Sequence, residues 1–229
     1  VCDSDARRGR GPGTAGPSGS VVTPPLDLAS VMRRRMLEPD GIPAAWAARR
    51  AGAVPADGRL LVIAADHPAR GALGVRDDRR AMASRSDLLQ RLAIAVSRPG
   101  VDGVLGTPDI LEDLLLAGLL DGLLVYGSMN RAGLQGAVFE LDDRFTAYDA
   151  ATIERLGLDG GKMLARVAYD DPATAPTLEA CGRAVTDLAE RGIRPAGCII
   201  GEPTDMQAIV AHKGKRDLCC KVRGREAHS

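Results

Sequence analysis

Strand-like and helix-like patterns alternate four times between Leu60 and Gly192. Leu60 to Ala65 is an unbroken apolar run stopped by Asp66-His67-Pro68, the pattern of a short buried strand. Ser84 to Arg98 then places Leu88, Leu92, Ala95 and Val96 on one face at helical spacing. Gly103 to Gly106 predicts a second strand. Thr107-Pro108-Asp109 predicts a helix start, with a capping hydroxyl, a proline in the first turn and an acid at the positive end of the dipole. That helix runs to about Leu119, and Leu123 to Tyr126 reads as the third strand. A longer connection, Gly127 to Asp149, leads into a helix around Ala150 to Leu156. Lys162 to Tyr169 predicts the fourth strand, closed by Asp170-Asp171-Pro172. Pro176 to Arg191 predicts an amphipathic helix with Leu178, Cys181, Val185 and Leu188 inward, stopped by Gly192.

Apolar strands joined by helices imply parallel pairing, with the helices covering the sheet. The span is about half of the roughly 250 residues of a closed (β/α)8 barrel. The expected fold is therefore α/β: a partial TIM-type (β/α) barrel of about four βα units over residues 26–192. Leu26 to Leu37 and Pro43 to Ala51 predict short helices ahead of it. Residues 1–25 are rich in Gly, Pro, Ser and Arg without an apolar period, and a disordered N-terminal segment is expected there. Past Gly192 the texture changes. Pro195 to Ser229 holds three of the four lysines, two of the three histidines and three of the five cysteines. A strand at Gly197 to Ile200 and hairpin strands near Ala208 to His212 and Leu218 to Val222 predict a short α/β or β-hairpin tail over residues 193–229.

Thirty basic residues balance thirty acidic ones. Zero net charge argues against nucleic-acid binding through a general basic field and against polybasic attraction to a membrane. The most apolar stretch, Ile110 to Val125, is broken by Glu112, Asp113 and Asp121, so no run approaches bilayer length. Arg7, Arg8 and Arg10 lead into Gly, Pro and Ser rather than the apolar core of a signal peptide. Five cysteines without a CxxC pair suit a reducing compartment. A cytoplasmic protein with no nucleic-acid or membrane partner is expected. Aromatics make up only 3% of the chain, so its core must be built from Leu, Val, Ala and Ile.

Lys162 is the first candidate for chemistry. It is the only lysine among the first 212 residues, whereas arginine occurs throughout. A lysine, unlike an arginine, can give up its proton and act as acid, base or imine-forming amine. The bland alternative is a strand-end lysine kept by chance. Asp66 is the second candidate, just past the carboxyl end of the first strand, where barrels carry their active sites. A helix cap or a solvating loop group explains an aspartate there equally well. His67 beside it reads as a loop histidine bonded to backbone. Cys219 and Cys220, with His212 and His228, suggest a zinc cluster by composition alone, but adjacent strand residues point to opposite faces.

Leu60-Leu-Val-Ile-Ala-Ala-Asp-His-Pro68 and Gly160-Gly-Lys-Met-Leu-Ala-Arg-Val-Ala-Tyr-Asp-Asp-Pro172 resemble the first and fourth strands of class I aldolases. The similarity is to barrels near the tagatose-bisphosphate and deoxyribose-phosphate aldolases, over about residues 26–192. It implies that Asp66 binds a hydroxyl and assists proton transfer, and that Lys162 assists acid–base steps. The imine-forming lysine of that family lies on a sixth strand, without an evident counterpart here. Separately, Cys198-Ile-Ile-Gly-Glu-Pro-Thr-Asp-Met-Gln207, Ala211-His-Lys-Gly-Lys215 and Val222-Arg-Gly-Arg-Glu-Ala-His-Ser229 resemble acetylornithine deacetylase and the M20 metallopeptidases. That resemblance implies Glu202 as a zinc ligand and His228 as a contribution to a neighbouring subunit's active site. The remaining ligands of that family are missing, and one carboxylate cannot hold zinc.

The expected function is a Schiff-base, carbon–carbon lyase of aldolase type acting on a sugar phosphate or related carbohydrate, without a cofactor and incomplete as this chain. The alternatives are a zinc-dependent amidohydrolase fragment and a non-catalytic truncated chimera. Half barrels expose sheet edges and an apolar face, so a homo-oligomer is also an expectation.

Overall fold

The computed structural model describes residues 26–130, 133–168 and 170–197, and in it the four strands form one sheet. They are β1 (Val62–Ala65), β2 (Gly103–Gly106), β3 (Leu124–Ser128) and β4 (Gly160–Lys162), all parallel and in chain order. Two helices, α1 (Leu28–Leu37) and α2 (Gly41–Ala48), precede the sheet. The crossovers are α3 (Arg85–Val96), α4 (Pro108–Leu116) and α5 (Ala150–Leu156), and α6 (Thr174–Glu190) follows β4. The chain is α/β, as its periodicity predicts. The expected N-terminal segment, and the tail from Cys198 onward, lie outside the described residues.

Register assigns the two faces of the sheet. One face carries Ile63, Val104 and Val125, then Ala65, Gly106, Gly127 and Gly161 in the next cross-strand row. Val104 and Val125 are fully buried there, under α3, α4 and α5. The small row lets those elements approach closely. A Cβ on Gly127 would lie 2.6 Å from the Tyr148 ring, and one on Gly161 would lie 2.7 Å from Ile153. The core continues through Leu89, Leu92, Leu111, Leu114 and Leu120, aliphatic as the composition requires. The opposite face carries Val62, Gly103 and Leu124, then Ala64, Leu105, Tyr126 and Gly160, then Ser128 and Lys162; Gly103, Leu124 and Ser128 are buried, and the middle row is not.

Side chains cap α3 and α5, and the cap expected at α4 is absent. Ser84 accepts from the Asp87 amide and starts α3, and Asp149 accepts from the Thr152 amide and starts α5. Thr107 precedes α4, but its hydroxyl donates to the Asp109 carboxylate at 2.6 Å rather than capping the helix. The predicted strand 162–169 is misplaced: β4 is Gly160–Lys162, shares only Lys162 with the prediction, and residues 163–168 are not strand. The β4 ladder ends at Lys162, because the Asn130 side chain takes over pairing with Leu164. On α6, Thr177 is buried and Cys181, Ala184 and Leu188 are partly covered. Leu178 and Val185, expected inward, stay 45% and 55% exposed because the packed stripe is narrower than the apolar one. No helix among the described residues is long and apolar enough to cross a membrane.

A charged cluster ties the helices together. Asp113, nearly fully buried on α4, receives Arg35 of α1 at 2.7 Å and also Arg85 of α3. Arg85 reaches Asp109 at 2.5 Å and Arg35 reaches Glu112 at 2.7 Å. Burial pushes the Asp109 carboxyl up, but the Thr107 hydroxyl and the Arg85 guanidinium outweigh it and hold it below the usual carboxylate range. A carboxyl depressed in the folded state adds stability above its unfolded pKa, about 4, and loses it as pH falls through the folded value. Asp109→Asn should therefore lower urea stability most above the unfolded carboxylate pKa, with the gap to wild type closing as pH falls through the depressed folded value. Urea titrations across that range check this, and a gap independent of pH contradicts it.

Candidate functional site

Asp66 follows β1 directly and opens a short 3-10 turn, His67–Arg70, so its carboxylate sits at the carboxyl end of the sheet. Lys162 is the last residue of β4, paired with Ser128 of β3. In this register it shares a face with Tyr126 and Gly160, the face without helices. Its ammonium donates to Asp66 Oδ2 at 2.5 Å. The Asp66 side chain is 9% exposed and that of Lys162 is 35% exposed. The structure thus joins the two residues singled out from the sequence, 96 positions apart.

That contact reports the shape of the sheet. Along a flat sheet, three strand spacings of about 4.8 Å would separate β1 from β4 by roughly 14 Å. Two side chains standing off a flat surface do not bridge that gap. The sheet must curve toward the helix-free face, which becomes a concave bowl with Asp66 and Lys162 across its mouth. His67 lies on the other side of Asp66, its Nδ1 3.6 Å from Oδ1. Asp66 thus has an ammonium at hydrogen-bond distance and an imidazole nitrogen just beyond it.

Several supporting residues carried no recognised signal in the sequence. Tyr126 lies one row below Lys162, and its ring covers Gly160, where a Cβ would sit 2.7 Å from Tyr126 Cδ1. Burial and the Asp159 carboxylate push the Tyr126 hydroxyl up. Ser128, buried in the same row as Lys162, donates to the Asn130 carbonyl at 3.2 Å. Asn130 acts as a strand substitute. Its Oδ1 accepts from the Leu164 amide at 2.7 Å, and its Nδ2 donates to the Leu164 carbonyl at 2.6 Å and to the Asp143 carbonyl at 3.1 Å. The buried Asp143 carboxylate in turn receives Arg166 Nη2 at 2.8 Å and Nε at 3.2 Å. The only hint of this arrangement is small polar residues, Ser128 and Asn130, alternating at the end of an apolar strand.

A separate cavity of about 220 Å³ opens between Pro68, Met82, Arg85, Leu88, Thr107 and Asp109; neither Asp66 nor Lys162 lines it. Glu202 and His228, the residues of the zinc-hydrolase resemblance, lie outside the described residues, as do His212, Cys219 and Cys220. Among the described residues, no group of three or more His, Cys, Asp or Glu side chains is placed to hold a metal ion.

With this geometry in view, comparison with known proteins gives a family. A family model described as Cgl0159-like matches residues 58–206, which include the whole sheet, Asp66 and Lys162. This chain belongs to the Cgl0159-like family. The crystal structure of Cgl0159 from Corynebacterium glutamicum (Brevibacterium flavum) is 49% identical in sequence, with a TM-score of 0.71. The match covers 75% of this chain and 59% of that one, so this chain spans less than two thirds of its relative's length. No curated protein matches. The Cgl0159-like match runs past the boundary expected after Gly192, and α1 and α2 lie before it.

Asn130→Ala should cost about 1–3 kcal/mol, because it strands the Leu164 amide and carbonyl. It should also loosen the β4 end that carries Lys162. Urea denaturation with hydrogen exchange at residues 162–166 checks this. Unchanged stability and unchanged protection there would refute the clamp.

Proposed function

We propose that the bowl is the proton-transfer half of an aldolase-type site, at the carboxyl-end mouth of a partial TIM-type (β/α) barrel. Its substrate class is a sugar phosphate or related carbohydrate. The 2.5 Å contact between Lys162 and Asp66 carries this reading. Supporting it are the parallel chain-order sheet, the placement of the pair on the concave face, and its position where barrels hold catalytic groups.

In Schiff-base aldol chemistry an amine condenses with the substrate carbonyl. The protonated imine then takes up the electron pair released when the carbon–carbon bond breaks. Asp66 and Lys162 serve the steps on either side of that cleavage, binding a substrate hydroxyl and relaying its proton. Tyr126 gives the bowl an aromatic floor. By the aldolase resemblance the imine-forming amine sits on a sixth strand, so turnover needs strands beyond the four described. The reaction needs neither a metal nor an organic cofactor, and it fits a cytoplasmic setting. The zinc-hydrolase resemblance rests on residues outside those described and supports no second reading.

Lysine acylation tests the proposal, because a peptide holding Lys162 contains no other lysine until position 213. Millimolar dihydroxyacetone phosphate or glyceraldehyde phosphate should slow acylation of Lys162 several-fold, and inorganic phosphate should do so less. Asp66→Asn should speed acylation without any ligand. Borohydride with either sugar phosphate should leave no reduced adduct on Lys162. Absence of protection by both sugar phosphates overturns the substrate class, and an adduct on Lys162 overturns the division of roles.

A further inference from the structure

The cavity beside Pro68 lies on the helix side of the sheet, behind the turn that follows Asp66. Its floor is apolar and buried: Ala65 at the end of β1, Leu88 of α3 and Ile110 of α4 are 3%, 8% and 3% exposed. One wall is a strap, residues 73–82, whose two feet supply Leu73 and Met82. The Met82 amide donates to the Leu73 carbonyl at 2.9 Å, and Val75 and Asp78 exchange two backbone hydrogen bonds further out. The strap therefore closes on itself and fixes both feet at the cavity. The rim differs from the floor. Arg85 and Asp109 reach it with side chains 47% and 54% exposed, so charge meets solvent where the apolar walls end.

Volume and charge narrow the occupant. An apolar cavity of about 150 Å³ takes a benzene ring, so one of about 220 Å³ takes a ring with a short polar arm. The arm meets a rim with negative charge in excess: Asp109, Glu112 and Asp113 share two guanidinium groups, Arg35 and Arg85. Arg85 already serves Asp109 and the buried Asp113, and a carboxylate arm would compete with both. Asp109 has room for a donor. A carboxylate offers about four acceptor sites; the Thr107 hydroxyl, the Arg85 guanidinium and the residue's own amide use three.

We propose that this cavity binds a small apolar primary amine, with its ring or branched chain against Leu88, Ile110 and Met82 and its ammonium on Asp109. The site is distinct from the bowl and does not rest on the chemistry assigned to Asp66 and Lys162. A hydroxyl in place of the ammonium keeps the apolar contact and a neutral hydrogen bond but loses the charge. A carboxylate has no proton to give Asp109 and meets the excess negative charge of the rim.

Benzylamine, benzyl alcohol and benzoate test this on the full chain at neutral pH, followed by NMR of the Met82, Leu88 and Ile110 methyl groups. Benzylamine should shift those signals saturably at millimolar concentration, benzyl alcohol should bind about ten-fold more weakly, and benzoate should not bind. Asp109→Asn should bring benzylamine down to the affinity of the alcohol and leave the alcohol unchanged. Added salt should weaken the amine alone, because the rim is exposed. If Asp109→Asn fails to fold, the order of the three ligands on the wild type and the salt effect decide instead. Methyl signals that stay in place at these three residues overturn the proposal. So do equal affinities for the three ligands, a preference for benzoate, or a preference for the amine that survives Asp109→Asn.

Discussion

An ammonium at the end of the fourth strand meets a carboxylate just beyond the first, and that chord sets how far the sheet must bend. Bending has to go toward the face that carries both side chains. The connections require the same asymmetry. Parallel strands laid down in chain order by right-handed crossovers put every connecting helix on one side. Helices therefore take the convex face, where Gly106, Gly127 and Gly161 leave room for Leu111, Tyr148 and Ile153. The concave face carries no connecting helix. Polar groups collect at its carboxyl end because the strand backbones stop there and loops begin.

The outer layer has its own anchor. Asp113 is buried between Arg35 and Arg85, and its removal would leave two guanidinium groups without their shared acceptor. This couples α1, which precedes the family match, to the helices within it. Trp46 of α2 enters the same core, and Arg49 donates to the carbonyls of Leu123 and Gly157 at 2.9 and 2.7 Å. Arg49 thus ties the end of α2 to the amino-end side of β3 and β4, whereas Arg35 ties α1 to the first turn and middle of α4. The helix-locking ion pairs and the candidate pair use different residues: the first join α1, α3 and α4, the second joins the ends of β1 and β4.

Local patterns made much of this legible. Gly103 to Gly106 and Ala150 to Leu156 match their elements residue for residue, since short apolar runs and local helical periodicity are short-range signals. Lys162 stood out because a deprotonatable amine is rare in a chain that otherwise uses arginine, and Asp66 because it ends an apolar run. What sequence reading missed depends on contacts between distant segments. Nothing near Leu164 reveals that Asn130, 34 residues away, replaces the fourth strand's ladder. The period of α6 gives an apolar stripe but not its covered width, so Leu178 and Val185 read as core and are surface. Tyr126 over Gly160 is a cross-strand fit that neither segment shows by itself.

A double-mutant cycle on urea stability, with Asp66→Asn, Lys162→Met and the two combined, addresses the chord directly. The geometry predicts a favourable coupling of about 0.5 kcal/mol or more, because Lys162→Met leaves the nearly buried carboxylate without its ammonium and Asp66→Asn leaves the ammonium without its carboxylate. Effects that simply add would mean that the two residues do not meet across the mouth, and the curved bowl with its paired proton-transfer groups would have to be abandoned.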